Sequence, residues 1–449
     1  MEFIETRAAV SARKTPFYIN RNFALLWSGR TVSVLGDFVF NTTLILWIAS
    51  DIARGATWAP LATSGIFLAM GIPVFLIGPF AGVFVDRWDK RQTMLWADIL
   101  RAVLVASLLL AANLIPLPWI PGGKLSVLWQ LGIIYTVLFC CSTCSQFFNS
   151  SRLALIGNLV PTTDRSRAIG MLQATLGMVS VIGPALAALV LFSLGVQWAL
   201  LLNASSFAIS FLTLRAIDLP GPESRPGQGN TGHFLVEFRE GIRFFTSSGR
   251  LISLLIAILI ATFGGVSLTT LGVYFVTNNL HIAANFFGVL DAVLGIGVVG
   301  GGLCVGVLTK RIGLERNLGL GMMAGGLALF VFARMTILLP ALVFIFLFGV
   351  FLSIVKSAIN TLLLHLTPPD FIGRIMSIFI PLETLASLVS TALVGFLVST
   401  VVPGQLGVLL GMSFGRIDSI YTAAGGLFFL GGCYALMKLR TREAPSSSI

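Results

Sequence analysis

Asp37 sits within an apolar run seven residues after Arg30, and two helical turns bring positions seven apart onto nearly one face. An ionisable side chain inside a membrane span costs on the order of 2.5–3.5 kcal/mol, so it faces a cavity or a partner instead of lipid. A carboxylate held there beside an arginine is equipped for reversible proton binding, with Arg30 tuning the affinity of Asp37; the same two groups would also serve as a structural tie between helices. Glu383, in Ile380-Pro381-Leu382-Glu383-Thr384, is the second proton-coupling candidate, where Pro381 loosens the local backbone, or else a carboxylate that snorkels to the membrane edge. Asp291 and Lys356 fit either a helix-to-helix pair or a cavity lining. Asn41, Asn149, Asn203, Gln173 and Asn360 offer uncharged hydrogen-bonding groups to a solute or to a neighbouring helix.

Other chemistry lacks its residues. No G-x-x-x-x-G-K-[ST] phosphate loop occurs, so ATP is not the expected energy source. Cys140, Cys141, Cys144, Cys304 and Cys433 all lie in apolar stretches without His/Cys spacing for a metal, and read as small packing residues. No catalytic cluster, cofactor or metal is expected.

Such charges need elements that hold them in lipid. The chain is 56% hydrophobic and only 10% charged, and its mean hydropathy is +0.95, too apolar for a soluble globule. Hydropathy divides it into twelve helical spans: 22–49, 59–84, 92–114, 126–149, 168–194, 197–216, 251–277, 286–308, 317–336, 340–364, 375–401 and 419–438. The fold class is therefore all-α and polytopic. A polar stretch begins with Leu219-Pro220-Gly221-Pro222 and separates two groups of six. The expected organisation is a segment 1–21, a six-helix bundle 22–217, a linker 218–250, a second bundle 251–438 and a tail 439–449. Within the linker, Phe234, Phe238, Ile242 and Phe245 recur at helical spacing among charges, as in an interfacial amphipathic helix.

Basic residues set the orientation. Arg21, Arg87, Lys90, Arg91, Arg152, Arg165, Arg167, Lys310, Arg311, Arg316 and Arg374 fall at one side, against Arg54, Lys124, Arg334 and Arg416 at the other. The first side is expected to face the cytoplasm, with both termini, and the polar start of the chain reads as an uncleaved lead into span one. This placement assigns the surplus of Lys and Arg to topology and removes nucleic acid as a partner, leaving the lipid bilayer, a small-molecule substrate and protons.

The halves resemble each other. Gly78-x-x-x-Gly82-x-x-x-Asp86-Arg87 after span two recurs as Gly302-x-x-x-Gly306-x-x-x-Lys310-Arg311 after span eight, and Pro161 with Arg167 before span five recurs as Pro368 with Arg374 before span eleven. Small residues four apart predict close helix approach. Asp86 is placed to cap a helix N-terminus, while Arg87 and Arg91 are placed to pair with carboxylates, making a latch. Gly82, Asp86, Arg87, Asp89, Lys90, Arg91 and Arg374 form the expected gate, extended by Asp98 and Arg101.

The run Gly82-Val83-Phe84-Val85-Asp86-Arg87-Trp88-Asp89-Lys90-Arg91 resembles the signature loop of the major facilitator superfamily. Asn22-Phe23-Ala24-Leu25-Leu26-Trp27, Ser33-Val34-Leu35-Gly36-Asp37, Phe147-Phe148-Asn149-Ser150-Ser151-Arg152 and Gly373-Arg374-Ile375-Met376-Ser377 are similar to the branch holding macrolide-efflux proteins and the enterobactin exporter. The resemblance implies two six-helix bundles around a central cavity, alternating access driven by a proton gradient, a gate loop that stabilises the outward-facing state against helix eleven, and a monomer in a bacterial cell membrane. Gly183-Pro184 retains part of the antiporter motif on helix five, with alanines in place of further glycines. The expectation is a proton-coupled exporter of a small amphipathic compound; an importer or lipid-type transporter on the same fold, and a non-transporting sensor or assembly factor, are the alternatives.

Overall fold

A computed structural model describes residues 19–112, 124–218, 243, 245–368, 372–401, 405–409 and 412–439. The first half consists of α1 (Arg21–Trp47), α2 (Ala59–Leu76), α3 (Gly78–Arg87), α4 (Lys90–Ala111), α5 (Val127–Leu159), α6 (Arg165–Leu194) and α7 (Val196–Arg215). The second consists of α8 (Gly249–Asn278), α9 (Phe286–Ile312), α10 (Leu314–Phe332), α11 (Leu338–Leu366), α12 (Ile372–Phe396) and α13 (Arg416–Lys438). Among the described residues, eleven helices are long and apolar enough to cross a membrane. The twelfth crossing is α10, which opens on Glu315-Arg316 and whose glycines dilute its hydropathy. Gly326 of α10 and Gly425 of α13 lie carbonyl to backbone, so close that a methyl group on either would fall 2.6–2.8 Å from the other's carbonyl oxygen. That helix is selected for contact with protein more than with lipid.

The second span is not one helix. Pro73 and Pro79 each remove a backbone donor, and the helix breaks at Ile77 into α2 and α3. Span four runs on to Leu159, ten residues past its expected end. Lys90 and Arg91, expected in a loop, form the first turn of α4. Beside the helices, Gln405–Leu409 (β1) and Met412–Gly415 (β2) pair antiparallel as a short hairpin ahead of α13, an addition to the all-helical plan. Of the amphipathic segment in the linker, only Arg243 and Phe245 onward lie within the described residues.

The helices run alternately between two ends. At the basic end Asn20 donates to the Leu159 carbonyl at 2.7 Å and Asn22 to that of Asp218 at 2.7 Å. In the first half, α1 packs against α6 and α7, and α4 against α5 and α7; in the second, α9 packs on α11, and α10 on α11 and α13. The halves meet along two seams, α2 with α12 and α6 with α9.

The second seam is made of bare backbone. A methyl group on Gly288 would fall 2.5 Å from the Pro184 carbonyl oxygen and one on Gly295 would fall 3.0 Å from that of Ser180. Pro184 has no N–H to give the Ser180 carbonyl four residues earlier, so that oxygen is left facing α9. Gly183, its neighbour, meets Phe38 of α1. At the far end α2 is also bonded to the second half: Thr63 and Tyr274 of α8 share a hydrogen bond of 2.5 Å, and the Leu61 N–H donates to Oγ of Ser399, just past α12, at 3.1 Å.

Candidate substrate and coupling cavity

Two glycine contacts orient the charges of α1. Gly29 lies against Thr213, and Gly36 against Ser206 and Asn203, so the bare stripe of α1 is buried on α7. Arg30 and Asp37 each follow one of these glycines, and the next stripe round the helix therefore points into the space between the halves. Arg30 Nη1 lies 3.8 Å from Asp37 Oδ2, with both side chains mostly buried.

Behind this pair is a second one, deeper. Asp98 and Arg101, one turn apart on α4, form an ion pair with both side chains shut off from solvent. Arg101 also donates to the Ala97 carbonyl at 3.3 Å and Ser145 Oγ at 3.5 Å. Its guanidinium lies 4.4 Å from the ring centre of Phe207 and 4.5 Å from that of Phe148. Arg30 approaches the same Phe148 ring at 5.6 Å. One aromatic ring thus contacts two cations, and its π electrons offset part of their mutual repulsion.

These groups border a cavity of about 410 Å³ between the halves. The charged part of its wall is Arg30, Asp37 and Arg101, all from the first half, with Asn41 and Asn203 beside them. Across from them, α8 and α12 contribute hydroxyls, Thr269, Thr384, Ser387 and Thr391, together with apolar carbon. Phe40, Phe67 and Phe207 line the same space. A solute here meets a fixed dipole on one side and an apolar, hydroxyl-bearing wall on the other.

The structure brings together some of the expected residues and not others. Arg30, Asp37 and Asn41 line the cavity, and Arg101 joins them although its spacing on helix three pointed to the gate. Asp98 and Arg101 are buried about two turns and more inside α4, too deep to extend a surface charge network. Asn149, Gln173, Asp291, Lys356 and Asn360 do not line this cavity: Asn149 accepts from Arg152 at 3.5 Å, and Gln173, Lys356 and Asn360 are exposed. Glu383 stands beside the lining residue Thr384 but outside the wall itself.

The gate residues also differ from expectation. Asp89 caps α4, its carboxylate accepting the Gln92 N–H at 2.7 Å. Among the described residues Arg91 pairs with no carboxylate; it donates to the Leu214 carbonyl at 3.1 Å and to that of Arg215, satisfying the C-terminal end of α7. Lys90 is buried and Arg87 exposed. Among the described residues, nothing lies within 4 Å of where a methyl group on Gly82 would sit, so this glycine makes no close helix contact there. The side chains of Asp86 and Arg374 lie outside the described residues.

The sequence profile of the Major Facilitator Superfamily matches residues 26–391. An uncharacterised transporter of that type, YkuC of Bacillus subtilis strain 168, is 22% identical over 84% of this chain and 86% of its own length. Macrolide efflux protein A of Streptococcus pyogenes is 24% identical over 52% of this chain and 53% of its own, so that match spans about half of each protein. Among solved structures, the nucleoside transporter NupG superposes with a TM-score of 0.70 at 12% identity, over 94% of this chain and all of NupG. A bacterial homologue of the iron transporter ferroportin, in its inward-facing state, gives 0.71 at 15% identity over 94% of this chain and 99% of its own.

Proposed function

Since this chain belongs to the Major Facilitator Superfamily of membrane transporters, we propose that it exports a small amphipathic compound, of drug or siderophore type, in exchange for protons. The observation that carries this reading is the placement of Asp37 and Arg30 on the wall of a cavity between two halves whose far end is bonded shut. A carboxylate at that position exchanges its proton with whichever side the cavity faces, and its charge state changes what the cavity holds. Similarity to a macrolide efflux protein supports the outward direction. The two halves, 22–217 and 251–438, are the moving bodies; the basic end faces the cytoplasm, and the bonded far end makes this arrangement the outward-closed one.

In this scheme the ionised wall belongs to one half and the hydroxyl wall to the other. Proton binding at Asp37 releases Arg30 from its partner, and the solute bridges the cavity to Thr384, Ser387 and Thr391 on α12. The test is uphill efflux from proteoliposomes under an imposed pH gradient, across a panel of amphipathic drugs and siderophores. Asp37→Asn is expected to abolish proton-driven accumulation while leaving solute exchange in place. Uphill transport by that variant at the wild-type rate would overturn the assignment.

A further inference from the structure

A second cavity, about 790 Å³, lies at the far end of the molecule. Its walls come from both halves: Ser50 and Arg54 after α1, Phe192 of α6, Tyr274 and Asn278 of α8, and Arg416 at the start of α13. Tyr274 also closes the seam through its bond to Thr63, so this space stands on the other side of the seal from the central cavity.

Its charge is unusual for its place. Only four lysines and arginines map to the far end, Arg54, Lys124, Arg334 and Arg416, because membrane insertion works against cations there. Two of the four line this one cavity, one from each half, and among the described residues no carboxylate lines it with them. The acidic residues adjacent in sequence are committed elsewhere. Asp51 accepts from Trp47 Nε1 at 3.0 Å, and Asp418 is bonded to Asn279 and to the Gly415 N–H. Among the described residues, Arg416 Nε is buried without an acceptor, a state that costs more than a made hydrogen bond returns.

We propose that this cavity is an anion-binding vestibule that takes a carboxylate or phosphate group between Arg54 of the first half and Arg416 of the second. An anion held there supplies the missing acceptor to Arg416 and a counter-charge to both guanidiniums. Because the two arginines ride on different halves, the bound anion also favours the closed far end, a consequence that rests on the alternating-access reading; the binding itself does not. The anion's source is either the acidic group of a solute in the outer medium or the headgroup of an anionic lipid.

The experiment measures binding without transport, so its result stands apart from the exporter reading. The full chain is placed in nanodiscs of phosphatidylcholine and its thermal unfolding midpoint is followed as citrate is added; in a second arm, phosphatidylglycerol replaces part of the lipid and no citrate is present. A saturable rise with citrate identifies a soluble acid, and a rise with phosphatidylglycerol alone identifies a headgroup. In either case Arg54→Gln and Arg416→Gln are expected to weaken the response roughly tenfold, the loss of one charge-assisted pair. Arg54→Lys and Arg416→Lys retain a weaker response, which separates charge from misfolding, and Lys124→Gln responds like wild type. No rise in either arm, or a rise retained in full by the double glutamine variant, overturns the proposal.

Discussion

At the scale of single residues, the two ion pairs of the first half are expected to behave differently. Asp98 is fully buried and Arg101 meets the cavity with only the edge of its side chain, so removing one partner strands the other with its charge uncompensated at a cost of about 3–5 kcal/mol. Asp98→Asn or Arg101→Gln is therefore expected to reduce the yield of folded protein in the membrane, whereas the apolar double substitution Asp98→Leu with Arg101→Met recovers it. Yields measured by size-exclusion chromatography decide this, and an undiminished Asp98→Asn yield would count against a structural pair. Phe148 is tested by shape against electronics. Phe148→Leu removes the ring shared by Arg30 and Arg101 and is expected to lower transport several-fold, while Phe148→Tyr, which preserves the π face, holds it near wild type. Initial rates in proteoliposomes report both. The Arg30 and Asp37 spacing was readable in the sequence because seven residues make two turns. The second pair was readable only as neighbours on one helix, since its depth depends on where α4 starts, and α4 takes in Lys90 and Arg91.

At the scale of elements, close approach is decided by which glycines have a backbone opposite them. Gly288→Ala puts a methyl group 2.5 Å from the Pro184 carbonyl, a distance no relaxation of side chains relieves, so α9 must move away from α6. Transport is expected to fall roughly tenfold or more, with the protein still inserted, because the defect lies at a crossing and not in a span. Gly300→Ala, on the same helix with open space around it, is the control and keeps full activity. Equal rates for the two variants would remove the seam from the mechanism. The chain has 47 glycines, so spacings of four and seven recur throughout and spacing alone does not select a crossing. The stripe of Gly78 and Gly82 satisfied the sequence rule, yet among the described residues nothing packs closely on Gly82; Gly29 and Gly36, which bury α1 on α7, satisfied a seven-residue spacing equally well. The twelve spans were legible because lipid demands long apolar runs, and the break at Ile77 was signalled by the two flanking prolines. The hairpin before α13 was not, since its strands are short and glycine-bearing.

At the scale of the whole molecule, few directed bonds hold the two halves together at the far end among the described residues, and in the proposed alternating-access scheme the balance between closed and open forms depends on them. The Thr63 and Tyr274 hydroxyls bond to each other across α2 and α8, both buried, next to the contact of Ser64 with Gly395 on α12. A hydrogen bond of this kind contributes about 1 kcal/mol net, which corresponds to roughly a fivefold change in a two-state population. Tyr274→Phe leaves the packing of the ring in place and removes only the hydroxyl, so it isolates the bond from the bulk. Spin labels at Leu128 and Leu339, exposed residues at the far ends of α5 and α11, report the separation of the halves by pulsed electron resonance. In the substituted protein the longer-distance population is expected to rise about fivefold relative to wild type, and Thr63→Val is expected to give the same shift, with the double variant adding little because both remove one bond. Distance distributions unchanged in all three would mean that this bond does not set the closure, and the seal would then have to be sought in the Leu61 to Ser399 bond and the Ser64 and Gly395 contact.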